Sequence, residues 1–126
     1  MTGKRRGFTL IELLVVMAVI GSLLTIAVPR YFKSLQRARE AVLRQDLTTL
    51  RESIDKYYGD TGKYPESLQV LVDKHYLRGI PLDPIARAAD KWVMVQNTDD
   101  PEDTGIKDVK SGAEGTDEGG VPYAQW

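Results

Sequence analysis

Cysteine is absent from this chain of 126 residues, and His75 is its only histidine. Without cysteine there is no disulfide, no thiolate metal site and no cysteine nucleophile. A single histidine between Lys74 and Tyr76 is more often a surface or packing residue than a catalyst. No glycine-rich phosphate loop follows a predicted strand, and no serine lies in a nucleophile elbow. The sequence therefore predicts a protein that is not an enzyme.

An excess of positive charge is also lacking. Residues 1–29 hold three bases and one acid, whereas residues 30–126 hold 14 Lys or Arg and 17 Asp or Glu, a net charge of −3. A mildly acidic domain binds nucleic acid poorly, so no nucleic-acid partner is expected. Because the chain is mostly polar after residue 97, we expect the hydrophobic core to come from residues 30–97.

One long apolar run contrasts with this polar sequence. Residues 8–28 form a run of 21 residues, which as a helix would span about 31 Å, the thickness of one bilayer core. Glu12 is its only charged residue. Bases precede the run, so the leader should stay in the cytoplasm and the rest of the chain should be exported. Hydropathy leaves open a permanent anchor, a secretory signal peptide cleaved near residues 25–27, or a more specific role.

The order of residues at the start of the run is more specific. Residues 7–13 run GFTLIEL and directly follow three bases, which resembles the class III signal of the type IV pilin superfamily. The resemblance implies that a prepilin peptidase cuts between Gly7 and Phe8 and methylates the new Phe8 amine. The resemblance also implies that Pro29 occupies the position at which members of the family have a proline that kinks the helix.

The same resemblance implies a division of the chain into three parts. Residues 1–7 are a leader peptide, residues 8–29 a transmembrane and assembly helix, and residues 30–126 a periplasmic globular domain of the pilin type.

The carboxylate inside the apolar run needs a partner. At membrane depth a charged side chain costs about 2.5–3.5 kcal/mol on insertion scales. Cleavage after Gly7 leaves an ammonium on Phe8 in the same layer as Glu12, and opposite charges in a low dielectric gain most by meeting. Such a pair between neighbouring copies sets their register, as a lone polar residue does in a coiled coil. The alternative is that Glu12 snorkels to the interface and favours the helix N-terminus.

Beyond the run, apolar residues recur at spacings of three and four, which predicts one helical stripe that we expect to be core. The stripe comprises Tyr31, Leu35, Ala38, Val42, Leu43, Leu47, Leu50, Ile54 and Tyr57. Run and stripe together predict a helix over residues 8–58, about 76 Å long, which Gly59 and Gly62 end.

Two residues within this helix predict flexibility. Pro29 removes a backbone hydrogen bond and is expected to kink or locally unwind the helix, and Gly21 loosens it further. We interpret this segment as a compliant joint for packing in a filament. A membrane proline that is merely tolerated at the interface is the alternative.

The C-terminal half predicts a small α+β head on the long N-terminal helix. Residues 65–72 predict a short helix with proline in its first turn. Residues 91–96 and 106–110 predict two strands, joined by a turn at residues 97–105. We expect an antiparallel hairpin, or small sheet, that packs on the long helix.

From Tyr57 onward the chain is similar to the major pseudopilin, or G subunit, of type II secretion systems. The shared elements are Tyr57-Tyr58, Gly62 to Pro65, Pro81 to Pro84, Ser111 to Gly115 and Trp126. The resemblance implies a calcium site in the C-terminal loop, for which Glu114 and Asp117 are the candidate ligands. An acidic solvated loop is the alternative, because the family's Ala-Asp-Gly is Ala-Glu-Gly here and a later aspartate is missing.

We therefore expect a pseudopilin that polymerises into a type II secretion pseudopilus and drives protein export. Its expected partners are other copies of itself, prepilin peptidase, an inner-membrane assembly platform, minor pseudopilins and, before assembly, membrane lipid. It should begin as a single-pass protein of the bacterial inner membrane and end in a periplasmic filament. A minor type IV pilin of a surface or DNA-uptake pilus, or a periplasmic domain with an ordinary signal peptide, is the alternative. Apart from calcium, no cofactor is expected.

Overall fold

The computed structural model describes residues 7–126, so the predicted leader, apart from Gly7, lies outside the described residues. Contacts divide the chain into two units, Met1–Arg37 and Ala38–Trp126. We call the first the N-terminal unit and the second the head. The element order is α1 (Leu10–Thr61), α2 (Leu68–Asp73), β1 (Val93–Gln96), β2 (Ile106–Lys110) and a 3₁₀ turn at Tyr123–Gln125. The predicted α+β class is confirmed.

Helix α1 is the predicted long helix, with its ends shifted by two and three residues. It has 52 residues and begins at Leu10, because Thr9 is the cap that precedes it: the Thr9 Oγ1 accepts a hydrogen bond from the Glu12 N–H at 3.1 Å. It ends at Thr61, beyond Gly59. The stop is Gly62, whose φ of 76° is left-handed and whose N–H donates to the Tyr58 carbonyl at 2.8 Å.

The predicted core stripe is correct only in its second half. Leu43, Leu47, Leu50 and Ile54 are buried, whereas Tyr31, Ala38 and Val42 are exposed. The head's compact unit begins only at Ala38, so the stripe is covered where the head provides a surface for it.

Helix α2 is shorter than predicted and begins later. Pro65 precedes it instead of occupying its first turn, and Ser67 is its N-cap, with its side chain accepting from the Val70 N–H. His75 ends it in a left-handed conformation with a φ of 65°. The N–H groups of His75 and Tyr76 bond back to the carbonyls of Val72 and Leu71, which is a Schellman motif.

The predicted hairpin is confirmed. Strands β1 and β2 pair antiparallel, with Val93 opposite Lys110 and a register shift after Val95. The first strand begins at Val93, two residues later than predicted, and the second has the predicted bounds.

The core of the head extends beyond the predicted range of residues 30–97. Leucines of α1 and α2 pack with Trp92 and with residues that follow position 97: Ile106, Val109, Ala113 and Tyr123. The prediction that the core ends at residue 97 is therefore wrong. The C-terminal segment contributes because several of its apolar side chains lie in the core, although the segment around them is polar and Val121 is exposed.

Candidate functional site

The predicted processing bond lies outside regular structure. Gly7 and Phe8 both precede the first residue of α1, and both are exposed. The Phe8 side chain is 88% exposed. An accessible, non-helical peptide is the form that a peptidase needs in order to bind and cut the chain.

Thr9 and Glu12 together begin the helix. The Thr9 hydroxyl occupies the N-cap position and Glu12 is the third helical residue, which is the spacing of a capping box. A carboxylate in the first turn also interacts favourably with the positive end of the helix dipole. The Thr-x-x-Glu spacing is a sequence signal for the start of the helix, and the apolar periodicity that predicted a start at Phe8 does not contain it.

The Glu12 carboxylate is exposed, and within residues 7–126 no side chain hydrogen-bonds or ion-pairs with it. The hydroxyl groups of the same segment behave differently. Ser22 donates to the Ala18 carbonyl at 2.8 Å, and Thr25 donates to the Ser22 carbonyl at 2.6 Å. Both hydroxyls are thus compatible with an apolar environment. The carboxylate still needs a partner.

The surface around Glu12 is apolar and uncovered. One described helix, α1, is long and apolar enough at its N-terminal end to cross a membrane. Its large apolar side chains in this stretch are 43–73% exposed: Leu10, Ile11, Leu13, Leu14, Val15, Val16, Met17, Val19, Ile20, Leu23, Leu24, Ile26 and Val28. An apolar surface of this extent marks contact with lipid or with other protein chains.

Gly21 and Pro29 do not interrupt the helix. Residues Leu10–Thr61 are helical throughout, so the local unwinding expected at Pro29 is not found. A side chain at Gly21 would meet no atom within 4 Å inside this chain. Packing within the chain therefore does not explain this glycine, and its role as part of a flexible joint stays a prediction.

The predicted calcium ligands lie in a turn of the head. Thr116 and Pro122 form a β-bridge, and Gly120 has a left-handed φ of 80°. The Asp117 Oδ1 accepts a hydrogen bond from the Val121 N–H at 2.9 Å, so this carboxylate already stabilises the turn. Glu114 is exposed. Among the described residues no three His, Cys, Asp or Glu side chains come together as a metal site would require.

Calcium takes six to eight oxygen ligands, and the two candidate carboxylates supply only a small part of such a set. The described donor set does not fit the ion, and calcium binding by Glu114 and Asp117 stays a prediction.

Two groups of the head have shifted pKa values. Burial, together with the nearby Asp83 carboxylate, raises the pKa of Asp46 above 3.8. The hydrogen bond that the Tyr76 hydroxyl donates to Asp60, at 2.8 Å, raises the pKa of that hydroxyl. Each shift has a structural cause, and neither points to acid–base catalysis.

Arg51 holds the head together and was not predicted. Its Nε donates to the Asp108 carboxylate at 2.9 Å, and its Nη2 donates to the carbonyls of Val109 at 3.0 Å and Trp126 at 2.7 Å. Helix α1 is thereby tied to β2 and to the C-terminal segment. No local signal identifies this residue, because its partners lie 57 to 75 positions away.

Comparisons with known proteins agree with these features. The family model of the prokaryotic N-terminal methylation motif matches residues 2–28. The type II secretion system core protein G of Klebsiella pneumoniae is 32% identical over 97 residues, which cover 64% of this chain and 69% of that protein.

Two further relatives carry the same name. The protein of Escherichia coli K12 is 30% identical over 99 residues, which cover 66% of this chain and 68% of its own length. The protein of Vibrio cholerae is 28% identical in an alignment of 142 residues that covers 98% of this chain and 92% of that protein. The search of solved structures gives no significant match.

The methylation motif covers the segment that holds Gly7, Phe8 and Glu12, and the relatives extend the likeness into the head. The chain therefore belongs to the family of type II secretion system core protein G.

Proposed function

We propose that this chain is a structural subunit that polymerises into the pseudopilus of a type II secretion system, whose movement drives protein export. The observation that carries the proposal is the Glu12 carboxylate, which no side chain of the described residues pairs with and which lies on an exposed apolar surface one helical turn after Phe8. Within residues 7–126, neither the charge nor the apolar surface has a partner. Neighbouring copies supply both.

The charge is the specific part of the contact. Cleavage after Gly7 creates an ammonium on Phe8, and a copy displaced along the filament axis brings this ammonium against the Glu12 carboxylate. Removing one partner of such a desolvated pair is costly, because the other charge is then buried alone. The pair accordingly selects one axial displacement between copies out of the many that apolar packing alone would allow.

The apolar surface supplies the non-specific part of the contact between neighbouring copies. Residues 8–28 are proposed to lie in the inner membrane before assembly and to pack against the same segment of other copies afterwards. Residues 30–126 are proposed to be periplasmic. Gly21 and Pro29 are proposed to let the helix adjust between these two environments.

The expected partners of the chain follow from its processing, its membrane insertion and its assembly. Prepilin peptidase is proposed to cut at Gly7 and methylate Phe8, and an inner-membrane assembly platform with minor pseudopilins is proposed to start and extend the filament. The role is structural, and no residue of the chain is assigned a catalytic step.

The first test is the N-terminus of the subunit in purified filaments. Sequencing and mass measurement should show a chain that begins at Phe8 with a methylated amine. A chain that begins near Val28 would instead support an ordinary signal peptide, and a chain that keeps residues 1–7 would support a simple tether.

The second test is the substitution Glu12→Gln, which removes the charge and keeps the size. We expect filament yield to fall by at least about tenfold, because one unpaired ammonium in the apolar layer costs more than the 1.4 kcal/mol that corresponds to that factor. The matched control is Glu66→Gln, at an exposed acid of the head, which should assemble normally. Normal assembly of Glu12→Gln would contradict the proposed role of this carboxylate.

A further inference from the structure

Strand β1 of the head has an open outer edge. Among the described residues it pairs with β2 alone. Facing residues of an antiparallel pair alternate between those that exchange backbone hydrogen bonds and those that do not. Directly after β1, the Asn97 N–H donates to the Gly105 carbonyl, directly before β2, at 2.8 Å. Counting back in steps of two, Val95 bonds towards β2, whereas the backbone groups of Met94 and Gln96 point to the outer edge.

A contact with α1 confirms this orientation. Val109 of β2 lies opposite Met94, and its carbonyl accepts a hydrogen bond from Arg51 at 3.0 Å, so this carbonyl points away from β1. The register shift adds its extra residue to β2 and does not interrupt the alternation along β1. In the part of the chain that the structure describes, no group bonds to the outward-facing backbone of Met94 or Gln96. Two N–H and two carbonyl groups are thus open to an added strand.

An apolar hollow of about 460 Å³ is lined by the same strand. Met94 contributes from β1, Trp92 from the position before it, and Leu68 and Ile80 from α2 and the segment that follows. Leu68 and Trp92 are buried, whereas Met94 is 44% exposed, so the hollow reaches from the core to the surface. A hollow of this volume with an apolar lining is typical of a site that takes an apolar group.

Asp90 is the charged residue of this hollow. It is the only charged side chain among the residues that line the hollow, and it is exposed. Within the described part of the chain its carboxylate forms no hydrogen bond or ion pair. A carboxylate beside an apolar surface is complementary to a base that has an apolar neighbour.

We propose that the outer edge of β1 and the hollow together bind an extended segment of another protein. The segment adds a strand to β1 through the backbone groups of Met94 and Gln96, places an apolar side chain in the hollow and directs a nearby base to Asp90. Backbone groups pair with any extended chain, so the hollow and the carboxylate select the sequence of the segment. This binding goes beyond the proposed function and does not depend on filament assembly.

A second copy of the chain is the competing occupant. It offers its own outer edge of β1, and antiparallel pairing of Met94 with Gln96 of the other copy would bring Asp90 to the level of Asp100. The acids at positions 99, 100 and 102 make that turn negative, and like charges oppose the pairing. A segment that carries a base has the complementary charge, which favours another protein as the partner.

The test measures the binding of a designed peptide to the full chain in detergent micelles, by fluorescence anisotropy. The peptide is a capped, labelled octapeptide in which threonine alternates with valine, leucine, arginine and valine, so that leucine and arginine lie on one face of an extended strand. We expect saturable binding that empty micelles do not show. Replacing the leucine of the peptide by serine should weaken binding at least about tenfold, because the hollow then receives no apolar group.

Methylation of backbone nitrogens in the peptide tests the added strand directly. Every second residue of an added strand bonds to β1. Methylating one alternate set of nitrogens should weaken binding at least about tenfold, because the hydrogen bonds to β1 are lost. Methylating the other set should change binding less than about twofold. Equal effects of the two methylated peptides would overturn the inference.

The substitution Asp90→Lys tests the charge. It should weaken binding of the peptide about three- to tenfold, and it should prefer a peptide with glutamate in place of arginine. The matched control is Glu52→Lys, at an exposed acid of α1 outside the hollow, which should keep the wild-type preference for arginine. A preference that does not reverse in Asp90→Lys, or that reverses equally in the control, would overturn the inference.

Two further results would overturn it. The first is a wild-type chain that shows no saturable binding of the peptide up to millimolar concentration. The second is a peptide that binds dispersed subunits but is excluded from filaments, because a second copy would then cover the edge of β1. The other measurements use dispersed subunits, so they remain decisive if filaments do not form, and their failure leaves the role of Glu12 in assembly untouched.

Discussion

The apolar run of the N-terminal unit and the head differ in the range of their side-chain hydrogen bonds. In the apolar run at residues 8–28, Thr9 caps its own helix, and Ser22 and Thr25 bond to carbonyls three or four residues back, so these side-chain hydrogen bonds are local. In the head, polar side chains join distant parts of the chain. The run therefore presents an exposed apolar surface, whereas polar side chains of the head bond to one another across long stretches of sequence.

The long-range bonds of the head show how it does so. Asp83, which is fully buried, accepts from the Ser111 hydroxyl at 2.6 Å and from the backbone N–H groups of Ile85 and Ala86. Tyr123 reaches Glu40 across 83 positions of sequence. Substitutions in the head should therefore change its stability, and substitutions in the N-terminal unit should change assembly.

The largest expected effect in the head is that of Gly112→Ala. A Cβ at Gly112 would collide with the Lys91 carbonyl oxygen. The backbone near the start of β1 would therefore have to move. We expect a loss of at least about 3 kcal/mol in the free energy of unfolding, measured by denaturant titration of the full chain in detergent. The control is Gly59→Ala in α1, where a Cβ meets nothing within 4 Å, and it should be neutral or slightly stabilising. Equal stability of the two variants would contradict the close approach of Gly112 to the Lys91 carbonyl.

Arg51→Met should have the next largest effect. It removes one charged hydrogen bond to Asp108 and two bonds to backbone carbonyls, at a cost of about 1.5–3 kcal/mol. Thermal unfolding of the head should shift down accordingly. Arg78→Met, at an exposed arginine, is the control and should leave the melting temperature nearly unchanged. A similar decrease in both variants would show that Arg51 does not tie the elements together.

His75→Gly should stabilise the head. The left-handed φ of 65° at His75 is unfavourable for any residue with a Cβ, and glycine relieves it by about 0.5–1 kcal/mol. The measurement is the midpoint of denaturant unfolding. Lys74→Gly, one residue earlier with an ordinary φ of −92°, should destabilise the head. A loss of stability in His75→Gly would mean that the imidazole makes a stabilising contact.

Asp46→Asn should give the smallest effect, and one that depends on pH. Burial and Asp83 raise the pKa of Asp46 in the folded state, so its ionised form is disfavoured by folding. Above the raised pKa the wild-type head is therefore destabilised relative to Asp46→Asn, by about 1–2 °C in melting temperature after solvent screening.

This difference should disappear as the pH falls below 3.8, the ordinary value of the group, because the carboxyl is then protonated in both states. Melting curves of the two proteins at neutral and acidic pH test it. A difference that is constant with pH would contradict the burial of this charge.

The sequence predicts well what depends on short spacings. The long helix, the hairpin with its second strand at Ile106–Lys110, and the apolar run around Glu12 all follow from periodicity and residue type, and the structure contains them. The helix boundaries shift by two or three residues, because caps decide them. The Thr9 signal was available in the sequence, and the Ser67 cap moves the start of α2 in the same way.

What depends on distant partners was not predicted. The burial of Ile106 and Tyr123 against α1, and the bonds of Arg51, connect positions far apart in sequence. The exposed half of the predicted stripe, including Tyr31 and Val42, has the right period, but the described residues do not cover it. Periodicity identifies a face that can be buried, and only the fold decides what covers it.

The most direct test of the account measures the distance between the Phe8 amine and the Glu12 carboxylate in assembled filaments. Filaments are grown from an equal mixture of chains labelled with ¹⁵N-phenylalanine and chains labelled with ¹³Cδ-glutamate, so that any ¹⁵N–¹³C dipolar contact joins different copies. The account predicts a contact at salt-bridge distance, about 4 Å or less between nitrogen and oxygen, for the amine nitrogen of Phe8. Mixed filaments without this contact would contradict it.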